Sequence, residues 1–172
     1  FAAKRSPATI YAIEPALNNV KILEESITLN QYEKRIIPIA KAVAKMSGNT
    51  VLYIPSDSGL ISVNKKHLDL YCTGDAVRTI SVPAVSLADF FREKQISFCD
   101  FIKMDCEGAE YEIFYNLPDE FFKKIGVMSI DCHKDGNIAE FISFLEQRNF
   151  EVIRPTMEFA ELFCRNKAIH VL

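Results

Sequence analysis

The stretch Phe98-Cys99-Asp100-Phe101-Ile102-Lys103-Met104-Asp105-Cys106-Glu107-Gly108-Ala109-Glu110 is an apolar run that ends in carboxylates, with a glycine among them. It reads as a buried strand that stops at the mouth of a site and turns straight into a helix. Carboxylates gathered at a strand's carboxyl end are costly unless something uses or neutralises them. In open α/β sheets that end is also where ligands bind. The helix after it is marked by Ala109, Ile113, Phe114 and Leu117, an apolar stripe at helical spacing closed by Pro118.

Upstream, Ile10–Ile13 is β-prone and ends at Glu14-Pro15. Pro15 suits the first position of a helix, whose apolar face is Ala16, Val20, Leu23 and Ile27 and whose end is Asn30. Strands follow at Ile36–Ile39, where Pro38 suggests an edge, and at Thr50–Ile54. Residues 55–78 read as an irregular loop or insertion, with turn chemistry at Pro55-Ser56-Asp57-Ser58-Gly59, Asn64-Lys65-Lys66 and Thr73-Gly74-Asp75. A loop of that length is a lid, a binding insertion or disorder. Extended structure resumes at Ile80–Val82, and Ser86 is an N-cap for a helix carrying Leu87, Phe90 and Phe91.

Downstream come a strand at Val127–Cys132, a helix face of Ile138, Phe141, Ile142 and Leu145, and strands at Phe150–Arg154 and Phe159–Cys164. The short connection between the last two favours an antiparallel pair. The order predicts one domain over residues 1–172: a three-layer α/β sheet, mostly parallel, with an antiparallel C-terminal edge pair. Glu14, Asp105 and Asp131-Cys132-His133 all lie at predicted carboxyl ends, so three segments deliver polar groups to one rim.

Bulk properties exclude several function classes. A chain of 172 residues buries roughly 70% of its unfolded surface and needs no metal or disulfide staple. The net charge of −3 and the absence of a basic stripe argue against nucleic acid as a partner. No apolar stretch reaches the roughly 18 residues of a spanning helix, so no membrane partner is expected. The five cysteines are scattered with no C-x-x-C pair, which predicts buried thiols in a reducing, cytoplasmic compartment. Cys106 lies among carboxylates that raise a thiol pKa, so it is a poor nucleophile. The sequence starts at Phe1 with no signal pattern and reads as part of a longer protein.

Tyr11-Ala12-Ile13-Glu14-Pro15, with a helix ending at Leu29-Asn30, resembles the second motif of class I S-adenosylmethionine-dependent methyltransferases. Val82-Pro83-Ala84-Val85-Ser86-Leu87-Ala88-Asp89-Phe90, followed by Asp100 through Glu110, resembles the FkbM-type methyltransferases specifically. That family carries V-P-x-x-x-L-D-D-F before D-x-x-K-x-D-x-E-G-x-E. Its next strand ends in an acidic residue, a spacer and His, matched by Ser129-Ile130-Asp131-Cys132-His133. The resemblance covers nearly the whole chain, with two departures. The family's first strand and its Gly-rich turn are absent, and Phe1-Ala2-Ala3-Lys4-Arg5 resembles the end of the helix that follows that turn. Asp131 stands where the family more often has Glu.

The resemblance implies a Rossmann-like sheet, S-adenosylmethionine as cofactor, and a small-molecule or sugar hydroxyl as methyl acceptor. It makes Glu14, Pro15, Asp105 and Glu107 cofactor contacts and Asp105 and His133 catalytic. Glu14 would accept hydrogen bonds from both ribose hydroxyls; the alternative is a helix-entry acid. Asp105 would face the methionine end or the acceptor; the alternative is an N-cap. His133, with an ordinary pKa near 6.5, would be a general base; the alternative is a hydrogen-bonded histidine at a strand end. Glu110 reads as an acid steadying the first helical turn, and Lys103 as snorkelling or pairing with a carboxylate. His67 and His170 carry no assignment.

Two rival readings stand beside this one. Asp105, Glu107, His133 and Asp135 could make an oxygen-rich divalent site for a hydrolase, but no tight ligand spacing supports it and no metal ligands are assigned. A degenerate methyltransferase fold could be an interaction module. Residues 55–78 are expected to set acceptor specificity.

Overall fold

The computed structural model describes residues 2–56, 61–72, 74, 76–133, 136–153 and 161–169. Asp57 to Gly59, Thr73, Asp75, Asp135, Arg154, Phe159 and His170, named above, lie outside the described residues.

The elements run α1 (Ala2–Arg5), β1 (Ile10–Ile13), α2 (Leu17–Leu29), β2 (Ile36–Ile39), β3 (Ala42–Val43), β4 (Gly48–Pro55), α3 (Lys65–Tyr71), β5 (Val77–Val85), α4 (Leu87–Glu93), β6 (Cys99–Met104), α5 (Glu110–Tyr115), α6 (Asp119–Phe122), β7 (Ile125–Asp131), α7 (Ile138–Glu146), β8 (Phe150–Ile153) and β9 (Glu161–Asn166). The class is the expected α/β, of Rossmann-like alternation. The strands form three ladders: β1-β2, β3-β5-β4 and β6-β7-β9-β8. β1 runs parallel to β2, β3 to β5 and β6 to β7. β4 is antiparallel to β5, β7 to β9 and β8 to β9. The antiparallel C-terminal pair is therefore present, while among the described residues the pairings are three parallel and three antiparallel rather than mostly parallel. The extra antiparallel pairing comes from β4 and β5, which match from Gly48↔Ala84 to Pro55↔Val77.

That pairing also corrects the reading of residues 55–78 as irregular. They contain all of α3 and the start of β5. The Asn64 side chain accepts from the Lys66 N–H and caps α3, so a residue that signals a turn here starts a helix. Ser86 caps α4 as expected, accepting from the Asp89 N–H at 3.1 Å. Pro15 does not open α2, which begins at Leu17. The Glu14 carboxylate accepts the Ala16 N–H at 2.8 Å and shapes the entry.

The core is strongly aromatic. Phe114, Phe122, Phe141 and Phe150 are fully buried, with Phe114 against Phe141 at 5.8 Å between ring centroids. The stripe Ala109, Ile113, Phe114 and Leu117 is buried throughout, as its spacing predicts. β6 departs from expectation: Met104 is buried, but Phe101 is 51% exposed and Lys103 is open. Among the described residues β6 pairs with β7 alone, and the face carrying Phe101 and Lys103 is exposed. Lys103 Nζ lies 4.0 Å from the Asp131 carboxylate across the β6–β7 pair.

The end of β9 is fastened by a buried amide. Asn166 Nδ2 donates to the Phe122 and Ile125 carbonyls at 3.1 and 3.0 Å, and its Oδ1 accepts the Ala168 N–H at 3.0 Å. Replacing it with leucine strands those groups. The expected loss is about 2–3 kcal/mol in urea-induced unfolding; a loss under about 0.5 kcal/mol would show that the amide fastens nothing.

Candidate functional site

Two strand ends meet at one cavity. β1 delivers Ile13, Glu14 and Pro15, and β6 delivers Asp105, Cys106 and Glu107, to a hollow of about 220 Å³. Its remaining wall is largely aliphatic and includes Val43, Leu52, Ile61 and Val63. Every residue the sequence assigns to the cofactor (Glu14, Pro15, Asp105 and Glu107) therefore lines the same space, although the two groups lie some ninety positions apart.

The turn after β6 gives the site its shape. The Ala109 N–H bonds back to the Cys106 carbonyl at 3.4 Å. The residues between, Glu107 and Gly108, have φ of +50° and +93°. Two consecutive left-handed residues are the pattern of a type I′ turn. Gly108 adopts this without penalty; Glu107 does so against the usual preference of an L-residue, at a cost of order 1–3 kcal/mol.

Glu110 holds this turn in place. It is fully buried, and its carboxylate accepts the Cys106 N–H at 2.7 Å and the Gly108 N–H at 3.1 Å. His133 Nδ1 donates to the same carboxylate at 3.2 Å. The expectation that Glu110 steadies the helix is thus too small a role: it ties the turn, the helix start and the end of β7 together. From outside, Ser62 Oγ donates to the Glu107 carbonyl at 2.6 Å and Asn64 Nδ2 to the Gly108 carbonyl at 2.7 Å.

Glu107 then meets two imidazoles. Its Oε2 lies 3.2 Å from His67 Nε2 and 3.2 Å from His133 Nε2. The two rings sit edge to face with centroids 4.6 Å apart, and Tyr71 lies against His67 at 4.7 Å. His67 is buried in the first half of α3. Sequence reasoning assigned it nothing, because no motif links it to a glutamate forty positions away; a histidine on the inner face of a short amphipathic helix was the only signal.

His133 is fixed at both nitrogens. The hydrogen bond to Glu110 raises its pKa to about 9; burial opposes this, and the charges of Glu110, Glu107 and Asp105 reinforce it. An imidazole that donates from both nitrogens is an imidazolium with no lone pair to accept a proton. The arrangement therefore suits holding Glu107 better than the general-base role expected of His133. The backbone beside it is fixed too: Tyr111 Oη donates to the His133 carbonyl at 2.8 Å. Gly136 leaves room for that ring, since a Cβ there would lie 2.3 Å from Tyr111 Cε2.

Asp105 is exposed at the cavity rim. It does not cap the next helix, whose N-cap is Ala109. Cys106 has its thiol pushed up to about 12, by burial first and then by Glu110 and Asp105, so it is no nucleophile. Cys99, Cys106, Cys132 and Cys164 are free thiols. No helix among the described residues is long and apolar enough to cross a membrane.

Comparison with known proteins gives the family of the chain. A search of curated protein sequences returns no match. Among solved structures, the chain is similar to methyltransferase FkbM from Methylobacillus flagellatus KT, with a TM-score of 0.53 and 14% identity. The match covers 91% of this chain and 36% of that one, so the chain spans about a third of the length of that protein. The family model of the methyltransferase FkbM domain matches residues 1–152. The chain belongs to the FkbM methyltransferase family.

Proposed function

We propose that this domain serves S-adenosylmethionine-dependent methyl transfer to a hydroxyl oxygen of a small molecule or sugar. The observation that carries the reading is the cavity shared by Glu14 and Pro15 from β1 and by Asp105 and Glu107 from the turn after β6. The donor set fits the cofactor. A carboxylate matches a ribose diol through its two oxygens, and a wall with three carboxylates favours a sulfonium cation. The volume of about 220 Å³ lies below the roughly 300–1,000 Å³ of a whole small-molecule pocket, so these walls enclose part of the cofactor.

Bound there, the cofactor supplies an electrophilic methyl group on sulfur. Glu14 would hold the ribose, its carboxylate already oriented by the Ala16 N–H, and Pro15 would pack beside it. Asp105, open at the rim, would orient the acceptor hydroxyl and take up its proton. His133 is a positioning residue: together with His67 it aims the Glu107 carboxylate. Ile61 and Val63, from the segment expected to set acceptor specificity, line the same cavity.

Calorimetric titration with S-adenosylhomocysteine tests the cofactor assignment. The expected result is saturable binding that Glu14→Ala weakens by about ten- to a hundredfold, the worth of one or two hydrogen bonds to a charged group. Absence of saturable heat at millimolar ligand would overturn it.

The His133 contacts also predict a pH dependence. Its folded pKa, about 9, lies above its ordinary value of 6.5. The stabilisation is therefore fully present below about pH 6.5 and is lost as pH rises through about 9. In urea unfolding of chelator-treated protein, the stability difference between wild type and His133→Gln should be flat below pH 6.5 and shrink between about pH 6.5 and 9. A difference that grows over that range would contradict the two-carboxylate setting.

A further inference from the structure

We propose that His67, Glu107 and His133 form a binding site for a divalent transition-metal ion of the zinc, cobalt or iron(II) class, with Glu110 bracing His133 from behind. The ligating atoms converge: His67 Nε2, Glu107 Oε2 and His133 Nε2 all lie within 4.8 Å of one another. Both nitrogen–oxygen separations are 3.2 Å. With metal–ligand bonds near 2.0–2.2 Å, adjacent ligands stand about 3.0 Å apart at a right angle and about 3.4 Å apart at the tetrahedral angle. The observed separations fall between these, so an ion can enter with small shifts of the three side chains, displacing the proton from His133 Nε2 as it binds.

The ligand types narrow the ion. Two imidazoles and one carboxylate suit zinc, cobalt and ferrous iron, while calcium and magnesium prefer all-oxygen sites. A metal-binding histidine is characteristically held through its other nitrogen by a carboxylate, and Glu110, fully buried, lies 3.2 Å from His133 Nδ1.

The three ligands come from three elements that are already fastened together. His67 sits on α3, which starts just after Asn64; Asn64 and Ser62 are bonded to the turn that carries Glu107. His133 follows β7 and is bonded to the first residue of α5. The backbone strain at Glu107 is localised at the ligand the two histidines share, as strain at functional positions commonly is. Three protein ligands leave coordination positions open, and Glu107 borders the cavity. The sequence alone pointed to Asp105, Glu107, His133 and Asp135 as the rival metal set. Asp135 lies outside the described residues; His67, Glu107 and His133 converge as a mixed set.

The site stands without the methyl-transfer reading and is tested separately. Chelator-treated protein is titrated with Zn2+ by calorimetry and with Co2+ by visible absorption, and circular dichroism checks that each variant is folded. The expected result is one ion per chain, with visible Co2+ bands. Binding should weaken at least about tenfold in His67→Ala and in the volume-conserving Glu107→Gln, and about ten- to a hundredfold in Glu110→Gln, which removes only the brace. Magnesium in large excess should not displace the ion. Failure of wild type to bind stoichiometrically, equal binding by folded variants, or displacement by magnesium would overturn the proposal. Loss of S-adenosylhomocysteine binding with Zn2+ binding intact would leave it standing.

Discussion

A single buried carboxylate organises the functional end of this domain. Glu110 is removed from water and survives as an acceptor because the Cys106 and Gly108 N–H groups and the His133 ring all point at it. An isolated anion at that depth costs several kcal/mol, and only such donors offset it. The bonds to Cys106 and Gly108 force the chain through two left-handed residues. That twist turns the Glu107 side chain towards α3 and the end of β7. Without Glu110 the turn loses its shape, Glu107 its aim and His133 its anchor.

The surrounding fold serves that turn from several sides. β6 brings it to the level of the β1 end, so that carboxylates from separate strands share one cavity. The β4–β5 hairpin carries α3 over it, with Ser62 and Asn64 gripping the two carbonyls at its crest. Tyr111 ties the following helix to the segment after β7. Membership of the FkbM methyltransferase family accords with this distribution: the aromatic core supplies rigidity beneath, and the candidate site sits on loops at the strand ends.

Much of this was legible in the sequence wherever a local pattern decides the outcome. The stripe from Ala109 to Leu117, the Ser86 cap and the terminal antiparallel pair follow from periodicity, hydrogen-bonding side chains and loop length. Glu14, Pro15, Asp105 and Glu107, singled out by strand-end position and family resemblance, line one cavity. What was missed depends on contacts between distant segments. The exposure of Phe101 depends on which layers cover β6, which its own apolar composition does not reveal. α3 was taken for loop because Asn64-Lys65-Lys66 has the composition of a turn, and only the side-chain bond to Lys66 makes it a helix start. His67 carries no motif, and Glu110 resembles any acid in a first turn until its burial is known. The mixed ladders arise from a hairpin whose two strands were recognised separately but not as partners.

The separation in sequence of the groups around Glu107 has a kinetic side. His67 lies forty positions before it and His133 twenty-six after it. Contacts between distant segments pay their loop-closure entropy before they return any stability. The sheet pairings close loops of the same size: Gly48 meets Ala84 across the β4–β5 hairpin and Cys99 meets Ile125 in the β6–β7 pair. The closure entropy for the imidazoles is therefore largely met by those pairings, which carry α3 and the end of β7 to the glutamate as they form.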